Sequence, residues 1–139
     1  MSQHTIALIG NPNCGKTTLF NALTGSRQRV GNWPGVTVDK KTGNFSHEGT
    51  DFEVVDLPGI YSVTPSSISG EDEIVARDYL LSGQAEAIVN IVDASNLERN
   101  LYLTAQITEM HVPMIVVLNM LDIARQHKIR IDIEALEKE

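Results

Sequence analysis

Gly10-Asn11-Pro12-Asn13-Cys14-Gly15-Lys16-Thr17 decides the fold of this chain, because it has the G-x-x-x-x-G-K-[ST] spacing of a phosphate-binding loop. The glycines let the backbone curl so that successive N–H groups can surround an anion. In such a loop the lysine, here Lys16, reaches the β- and γ-phosphates, and the hydroxyl of Thr17 ligates Mg²⁺. The pattern indicates a nucleotide site only where a strand precedes it and a helix follows it.

Both flanks of the loop meet that requirement. Thr5 to Ile9 form a short apolar run, which is typical of a buried parallel strand. Thr18 to Thr24 carry apolar residues at helical spacing, and Gly25 is a suitable residue to end the helix. The positive end of that helix dipole would face the same phosphates as the loop.

Length and composition describe one domain, residues 1–139, with 42% hydrophobic residues and enough mass for a core. The net charge of −7 argues against a nucleic-acid partner, because phosphate backbones require clustered basic residues, and Arg27 and Arg29 are too few. A single cysteine, Cys14, excludes an internal disulfide and suits a reducing cytosol. We recognise no signal peptide and no apolar run of membrane-spanning length, so we expect a soluble chain.

The first half of the chain after the loop reads as strands separated by polar connections. In order, we predict a mobile loop over Ser26–Gly35, a strand over Val36–Phe45, a turn over Ser46–Thr50 and a strand over Phe52–Val55. Asp56–Gly59 end that strand, and a second polar loop follows through Ser69.

The second half alternates helices with buried strands. We predict a helix over Glu71–Ser82, a strand over Ala87–Val92, a helix from Ser95, a strand over Pro113–Leu118 and helical segments over Ile123–Glu139. A capping box of Ser95 and Glu98 should begin the third helix. Its sheet-facing residues should be Leu97, Leu101, Ala105 and Thr108.

Strands that alternate with helices indicate an α/β fold with a mostly parallel sheet and helices on both faces. Ligands of such sheets bind beyond the carboxyl ends of the strands. The phosphate loop, Asp56 and Asn119 all follow strand ends, so we expect them at one edge.

Four elements stand in the order that P-loop GTPases use. After the phosphate loop come Thr37, whose hydroxyl would complete the Mg²⁺ shell, and Asp56-x-x-Gly59, whose carboxylate would hold Mg²⁺ through water and whose glycine N–H would contact the γ-phosphate. Asn119-x-x-Asp122 is the fourth element, where a carboxylate accepts hydrogen bonds from the guanine N1–H and amine. Each short motif alone is usually a turn or a helix cap, but all of them in order at strand ends favour a guanine-nucleotide site.

The residues in and around these motifs closely resemble those of the GTPase domain of bacterial ferrous iron transport protein B. The matching stretches are Gly10-Asn-Pro-Asn-Cys-Gly-Lys-Thr-Thr-Leu-Phe-Asn, Val30-Gly-Asn-Trp-Pro-Gly-Val-Thr-Val, Asp56-Leu-Pro-Gly, Val92-Asp-Ala-Ser-Asn-Leu-Glu-Arg-Asn-Leu and Asn119-Met-Leu-Asp. The resemblance implies a Ras-like P-loop GTPase fold that binds GTP or GDP with Mg²⁺ and hydrolyses GTP slowly.

The resemblance and the motifs also imply the residues of the site. Mg²⁺ would be held by Thr17, Thr37 and Asp56, and catalysis would involve Asn11, Lys16, Thr37 and Gly59. The nucleotide contacts would come from Gly10, Asn11, Pro12, Asn13, Cys14, Gly15, Lys16, Thr17, Thr18, Gly35, Val36, Thr37, Val38, Asp39, Asp56, Leu57, Pro58, Gly59, Asn119, Met120, Leu121 and Asp122.

The resemblance further implies a larger parent protein. The chain would be its amino-terminal G domain, at the cytoplasmic face of the bacterial inner membrane, followed by a helical spacer and a membrane domain that moves Fe²⁺. Oligomers are compatible with this arrangement. A Ras-like domain has a further strand and helix after Asn-x-x-Asp, so we expect this chain to be a fragment that stops before them.

Three positions depart from common patterns. Met120 stands where most G domains have lysine, and Ile60 stands where Ras-like proteins have a water-orienting glutamine. Cys14 stands where the family usually has a small hydroxyl residue; of a reactive thiol and a small residue that fits the loop, we favour the second.

Because Ile60 cannot orient water, a cation beside the β–γ bridge would replace that function. Potassium-activated G domains resemble this chain in having asparagine at the position of Asn11. The resemblance implies that Asn11 binds K⁺ and that backbone carbonyls around Gly31 and Trp33 complete the coordination shell of the ion. The alternative is that Asn11 only stabilises the turn of the loop, and the sequence supports this role and the K⁺ role equally.

Other functions remain open at this point. Slow turnover would suit a regulatory module that gates a membrane part, and an RNA-modification or ribosome-assembly GTPase shares the same motifs, although the acidic charge disfavours it. The four histidines lack metal-ligand spacing. Trp33, in a predicted mobile loop, would pack the loop or shield the nucleotide.

Overall fold

The computed structural model describes residues 3–63 and 70–119. The strands are β1 (Gln3–Gly10), β2 (Gln28–Asn32), β3 (Asp39–His47), β4 (Thr50–Asp56), β5 (Ala87–Asp93) and β6 (Met114–Asn119). The helices are α1 (Lys16–Thr24), α2 (Glu71–Ser82) and α3 (Leu97–Glu109), with a short 3-10 turn at Ala94–Asn96 before α3. Within these ranges, no helix combines the length and the apolar character needed to cross a membrane.

The strands form one sheet in the order β2-β3-β4-β1-β5-β6. β1 is central and runs parallel to β4 and β5, and β5 runs parallel to β6. β2 and β3 are attached in antiparallel fashion at the β4 side. The predicted α/β fold with a mostly parallel sheet is therefore confirmed.

Alternate side chains of β1 build two cores. Ala7 and Ile9 point to the face covered by α2 and α3, where Leu80 and Leu103 join them in one buried cluster. Leu8 points to the opposite face and belongs to a second cluster with buried Phe20 of α1, Val54 of β4 and Ile91 of β5. Helices therefore lie on both faces, as the sequence predicts.

The antiparallel hairpin between β3 and β4 has a two-residue turn. Glu48 and Gly49 both have positive φ angles, 50° and 81°, and His47 pairs with Thr50. Such a turn matches the right-handed twist of the strands that it joins. The predicted turn is confirmed, but β3 begins at Asp39 rather than at Val36.

β2 is the clearest difference from the predicted elements. The sequence predicts a loop over Ser26–Gly35, whereas Gln28–Asn32 pair along their length with Asp39–Gly43 of β3. The last four residues of β2 are exposed, so the segment has no buried face and no apolar alternation. β2 is a strand because its backbone pairs with β3, with a further hydrogen bond from Arg29 to the Asn44 side chain, and a search for apolar periodicity cannot detect such pairing.

The start and the buried face of α3 also differ from the prediction. Ser95 does not cap α3; its N–H and hydroxyl both donate to the Asp93 carboxylate, which caps the 3-10 turn instead. Ala105 and Thr108 are exposed, and the buried residues of α3 are Asn100, Leu103, Thr104 and Ile107. Polar residues on the buried face concealed its i, i+3, i+4, i+7 spacing.

α2 has the predicted bounds, and Gly83 ends it in the left-handed conformation (φ 72°). The predicted segments over 123–139, and part of the second polar loop, lie outside the described residues.

Candidate functional site

Three segments that are distant in the chain meet at the carboxyl edge of the sheet. β1 ends at Gly10, β4 ends at Asp56 and β6 ends at Asn119. Leu8 is in register with Asp56 across β1 and β4, and Asp93 is in register with Asn119 across β5 and β6. Parallel pairing thus places the predicted site residues together, at the edge where such sheets bind ligands.

Residues 10–17, the phosphate loop, connect β1 to α1 in a conformation that requires its glycines. A Cβ on Gly10 would lie 2.6 Å from the Cys14 Sγ and 2.7 Å from the Ile91 carbonyl oxygen. Gly15 has a φ angle of 99°, and a Cβ there would lie 2.0 Å from the Asn119 Nδ2. Both glycines of the pattern are therefore needed for space, and Gly15 also for its backbone angle.

The N-terminus of α1 is free to receive an anion. Its N-cap is Gly15, no side chain caps the first amides, and the first turn has no acidic residue. Unsatisfied amides and the positive dipole end of a helix form a ready site for phosphate. The loop and the helix together supply the anion-binding geometry that the sequence indicates.

Lys16 and Asp56 form a buried ion pair through Nζ and Oδ1. Each residue is only 8% exposed, so each charge depends on the other for compensation. The predicted phosphate ligand and the predicted magnesium ligand are thereby placed in direct contact.

A cavity of about 620 Å³, here the main cavity, opens beside Lys16. It is lined by Asn11, Pro12, Asn13, Gly15, Lys16, Thr17, Thr18, Gly59 and Asp72. The exposed hydroxyls of Thr17 and Thr18 face a space large enough for a polyphosphate. Asp72 is an addition that sequence reasoning missed, because acids in the first turn of a helix are expected anyway to complement its dipole.

The Asp56–Gly59 segment is fastened to the phosphate loop. The N–H of Leu57 donates to the Leu8 carbonyl at 3.1 Å, and the N–H of Ile60 donates to the Gly10 carbonyl at 3.0 Å. A Cβ on Gly59 would lie 3.1 Å from the Pro12 Cα, so Gly59 permits this close approach. Ile60 is 2% exposed and belongs to the core, where a glutamine would be destabilising because its amide would be buried in apolar surroundings.

Thr37 does not join the main cavity in this structure. Its side chain is exposed, and its hydroxyl donates to the Glu71 Oε2 at 3.4 Å. None of Gly35 to Asp39 is among the residues that line the cavity. Val36 and Val38 pack against the core instead.

Asn119 contacts the phosphate loop directly. Its Nδ2 donates to the Cys14 carbonyl at 3.0 Å, which ties the end of β6 to the residue before Gly15. The other residues of the fourth motif, Met120, Leu121 and Asp122, lie outside the described residues.

Cys14 is buried and unmodified, with its sulfur against the Gly10 backbone. Burial raises the pKa of its thiol above the ordinary value, although hydrogen bonding to the Lys16 backbone and the charge of Lys16 act in the other direction. A protonated thiol is a poor nucleophile, so the structure favours the reading of Cys14 as a small residue that fits the loop.

Asn11 is 4% exposed, and neither its Nδ2 nor its Oδ1 has a hydrogen-bond partner among the described residues. A buried amide without partners costs free energy, which a ligand or a water would relieve. Asn13, in the same loop, is exposed and has a left-handed backbone (φ 64°). Both residues line the main cavity.

Trp33 is buried, although it lies in the connection between β2 and β3, within the segment that the sequence predicts as a loop. Its ring contacts Tyr79 edge-on with centroids 5.5 Å apart, and Lys40 Nζ lies 4.8 Å from its centroid. The backbone N–H of Trp33 donates to the Val38 carbonyl, and the backbone carbonyl of Trp33 accepts from the Val36 N–H. These bonds connect Trp33 to the segment that carries Thr37.

Comparison with known proteins identifies relatives over nearly the whole chain. The family model described as "Ferrous iron transport protein B" matches residues 4–139. The Fe(2+) transporter FeoB of Escherichia coli strain K12 is 62% identical over 137 residues, which is 98% of this chain and 18% of the relative.

Solved structures agree with this match. The S. thermophilus NFeoB N11A mutant bound to mGDP has 52% identity and a TM-score of 0.90, over 99% of this chain and 51% of that one. The cytosolic domain of L. pneumophila FeoB has 52% identity and a TM-score of 0.89, over 96% and 58% respectively. These likenesses confirm the Ras-like P-loop GTPase fold. The chain spans 18% of the length of the E. coli relative that it matches.

Proposed function

Because this chain belongs to the ferrous iron transport protein B family, we propose that it is a G domain that binds and hydrolyses GTP and thereby drives or gates ferrous iron uptake by its parent protein. The observation that carries the proposal is the main cavity, which is lined by the uncapped N-terminus of α1 and by Lys16, and Lys16 is held by a buried ion pair with Asp56. Solved relatives bound to GDP or mGDP support the choice of nucleotide.

The chemistry follows from the groups around that space. Phosphate oxygens accept hydrogen bonds from the first amides of α1, and Lys16 turns from Asp56 to the phosphates. The Thr17 hydroxyl and the freed Asp56 carboxylate are hard oxygen ligands that suit Mg²⁺, which neutralises developing charge when bound. On leaving Glu71, Thr37 would offer a further hydroxyl ligand to Mg²⁺, and the Gly59 N–H would donate to the γ-phosphate.

Guanine selectivity is assigned to Asp122, as its place in Asn119-x-x-Asp122 indicates. Asn119 supports this role from the described part of the chain by holding the loop carbonyl of Cys14. Asp122 accepts from the guanine N1–H and amine, a donor pair that adenine lacks.

The test measures binding of GTP, xanthosine triphosphate and guanosine by calorimetric titration, and phosphate release from GTP and ATP, for the natural full-length protein and for three variants. Lys16→Ala should lower affinity for GTP by about 10–100-fold and affinity for guanosine hardly at all, because its partner is phosphate. Lys41→Ala, a lysine of β3 outside the cavity lining, is the matched control. Asp122→Asn should shift preference from GTP to xanthosine triphosphate. Equal loss for GTP and guanosine, or turnover of ATP as fast as GTP, would contradict the proposal.

A bound K⁺ is the second part of the proposal, since Ile60 is in the core and supplies no polar group for water. The sequence indicates Asn11 as its ligand, and the unpartnered amide of Asn11 is compatible with that role. Both amide atoms of Asn11 are buried, however, so it would have to turn toward the cavity, whereas Asn13 is exposed in the same loop. The experiment therefore compares the two asparagines.

GTP turnover should be faster in K⁺ than in Na⁺ at equal ionic strength, because a cation beside the β–γ bridge stabilises the transition state. Asn11→Ala should abolish the difference if Asn11 is the ligand, and Asn13→Ala is its matched control. Loss of the difference in Asn13→Ala alone would move the assignment to Asn13. Equal rates in both salts for the unaltered protein would refute a K⁺ site.

A gating role with negligible turnover is the main alternative, and buried Ile60 is the observation that favours it. Turnover measured with and without the membrane domain separates active transport driven by GTP hydrolysis from gating by the nucleotide state.

An RNA-linked GTPase is disfavoured by the net charge of −7. We place the domain at the cytoplasmic face of the inner membrane, joined to a helical spacer and membrane domain; a solved relative is named as a cytosolic domain.

A further inference from the structure

One buried polar cluster lies outside the main cavity. It consists of Asn90 on β5 and of Asn100 and Thr104 on α3, all of them buried. Asn90 is 1% exposed in the middle of a strand whose other side chains are nearly all apolar. An amide in that position costs free energy unless each of its groups is bonded.

Asn90 is bonded on both sides. Its Oδ1 accepts from the Thr104 hydroxyl, and its Nδ2 donates to the Ile9 carbonyl at 3.3 Å. The hydroxyl of Thr104 also lies 3.4 Å from the Asn100 carbonyl of its own helix. The Asn90 side chain therefore connects β5, β1 and α3.

The β1 end of this connection is adjacent to the phosphate loop. Ile9 is the residue before Gly10, and Gly10 accepts from the Ile60 N–H and begins the loop. Asn90 thus holds the last peptide of β1 before the backbone turns toward Asn11.

The α3 end of the connection is equally fastened. The Asn100 Oδ1 accepts from the Asp93 N–H at 3.0 Å, and its Nδ2 donates to the Asn96 carbonyl at 2.8 Å. The first turns of α3 are thereby held against the end of β5. Within this cluster, Thr104 is the side chain of α3 that bonds to Asn90, whose amide in turn bonds to β1.

We propose that Thr104, acting through Asn90, is a positioning residue for phosphoryl transfer: it holds the end of β1, and with it the phosphate loop, against α3. The inference rests on the proposed GTPase function. Phosphoryl transfer depends almost entirely on positioning and on charge stabilisation, so a small displacement of the loop affects the transition state more than the bound ground state.

The alternative is that the hydrogen bond only stabilises the fold. Thr108 provides the matched control, because its hydroxyl donates to the Thr104 carbonyl at 2.9 Å, one turn further along α3, and not to a residue of the sheet in the described part of the chain. Thr104→Val and Thr108→Val each replace a hydroxyl by a methyl in the same helix. Thr104→Ser keeps the hydroxyl and should rescue activity.

The experiment measures kcat and KM for GTP, together with affinity for GDP and guanosine, in the natural full-length protein. Thr104→Val should lower kcat by roughly tenfold or more with KM changed by less than about twofold. Thr104→Ser and Thr108→Val should keep kcat near that of the unaltered protein. If Thr104→Val does not fold, Thr104→Ala and Thr108→Ala make the same comparison without an added methyl beside Asn90.

A Thr104 variant with unaltered kcat, an equal loss in the Thr108 variant, or no rescue by serine would overturn the inference while leaving GTP hydrolysis intact. An unaltered protein that binds neither GDP nor GTP would instead overturn the proposed function, and this inference with it.

Discussion

At the residue scale, the phosphate loop is limited by space as much as by backbone angle. Gly10 has an ordinary φ, yet a Cβ there would meet the Cys14 sulfur and the backbone carbonyl of Ile91. The carbonyl belongs to the adjacent strand β5 and cannot move alone, because the two strands are paired. Gly10 is therefore required by packing between β1 and β5, and not by turn geometry.

Gly10→Ala should lower the free energy of unfolding by about 1–3 kcal/mol, because the strands must separate to admit a methyl group. Gly31→Ala is the matched control: Gly31 also lacks a positive φ, and a Cβ there meets nothing within 4 Å. It should change stability by less than about 0.5 kcal/mol. Urea unfolding of both variants checks this, and equal midpoints would contradict the steric explanation.

At the element scale, α3 has a mixed buried face. Leu103 and Ile107 pack in the apolar core, while Asn100 and Thr104 on the same face bond to β5 and to the turn before α3. This face holds the helix in one register, since the polar groups are satisfied only when the amides and hydroxyls meet. The same mixture explains why apolar spacing alone indicates the wrong face.

Leu103→Ala should lower the free energy of unfolding by about 2–5 kcal/mol, because it leaves a cavity in the core where Leu103 is 1% exposed. Leu101, on the face that the sequence predicts as buried, is only half-buried. Leu101→Ala should therefore cost about 1 kcal/mol. Thermal or denaturant unfolding of the two variants would contradict the assigned face if the order were reversed.

At the scale of the whole molecule, the sheet order makes the site. β1 lies between β4 and β5, so the phosphate loop at its end is flanked by Asp56 on one side and by the β5–α3 connection on the other. The segment with Thr37 extends from the β2–β3 edge and contacts α2 through Glu71. If Thr37 binds Mg²⁺ as proposed, we expect that segment to move as a unit with Trp33, because the Trp33 backbone is hydrogen-bonded to Val36 and Val38.

Trp33 should therefore report the nucleotide state. The segments Val30–Thr37 and Leu57–Ser69 are the expected switches, and Trp33 is the only tryptophan in the chain, so its fluorescence has one source. A GTP analogue with Mg²⁺ should shift its emission relative to GDP, because the ring leaves Tyr79 and Lys40. Thr37→Ala should suppress the shift. Identical spectra and identical proteolysis in both nucleotide states would argue against switching.

Part of this protein was determined by short stretches of sequence. The phosphate loop, the strand before it, the helix after it, the bounds of α2 and the order of the motifs are all predictable, because each depends on residues that are neighbours in the chain. Glycine spacing and the run of apolar residues act locally and need no distant partner.

The tertiary structure alone decided the features that depend on distant partners. β2 is a strand because β3 lies beside it; Trp33 is buried because Tyr79 reaches it; Asn119 bonds Cys14 because β6 joins the sheet two strands from β1. The buried Asn90 would look like an error in an apolar strand, yet Ile9 and Thr104 satisfy its amide. The physical reason is common to all of them. A buried polar group or an edge strand is stabilised by hydrogen bonds to partners that only folding brings within reach.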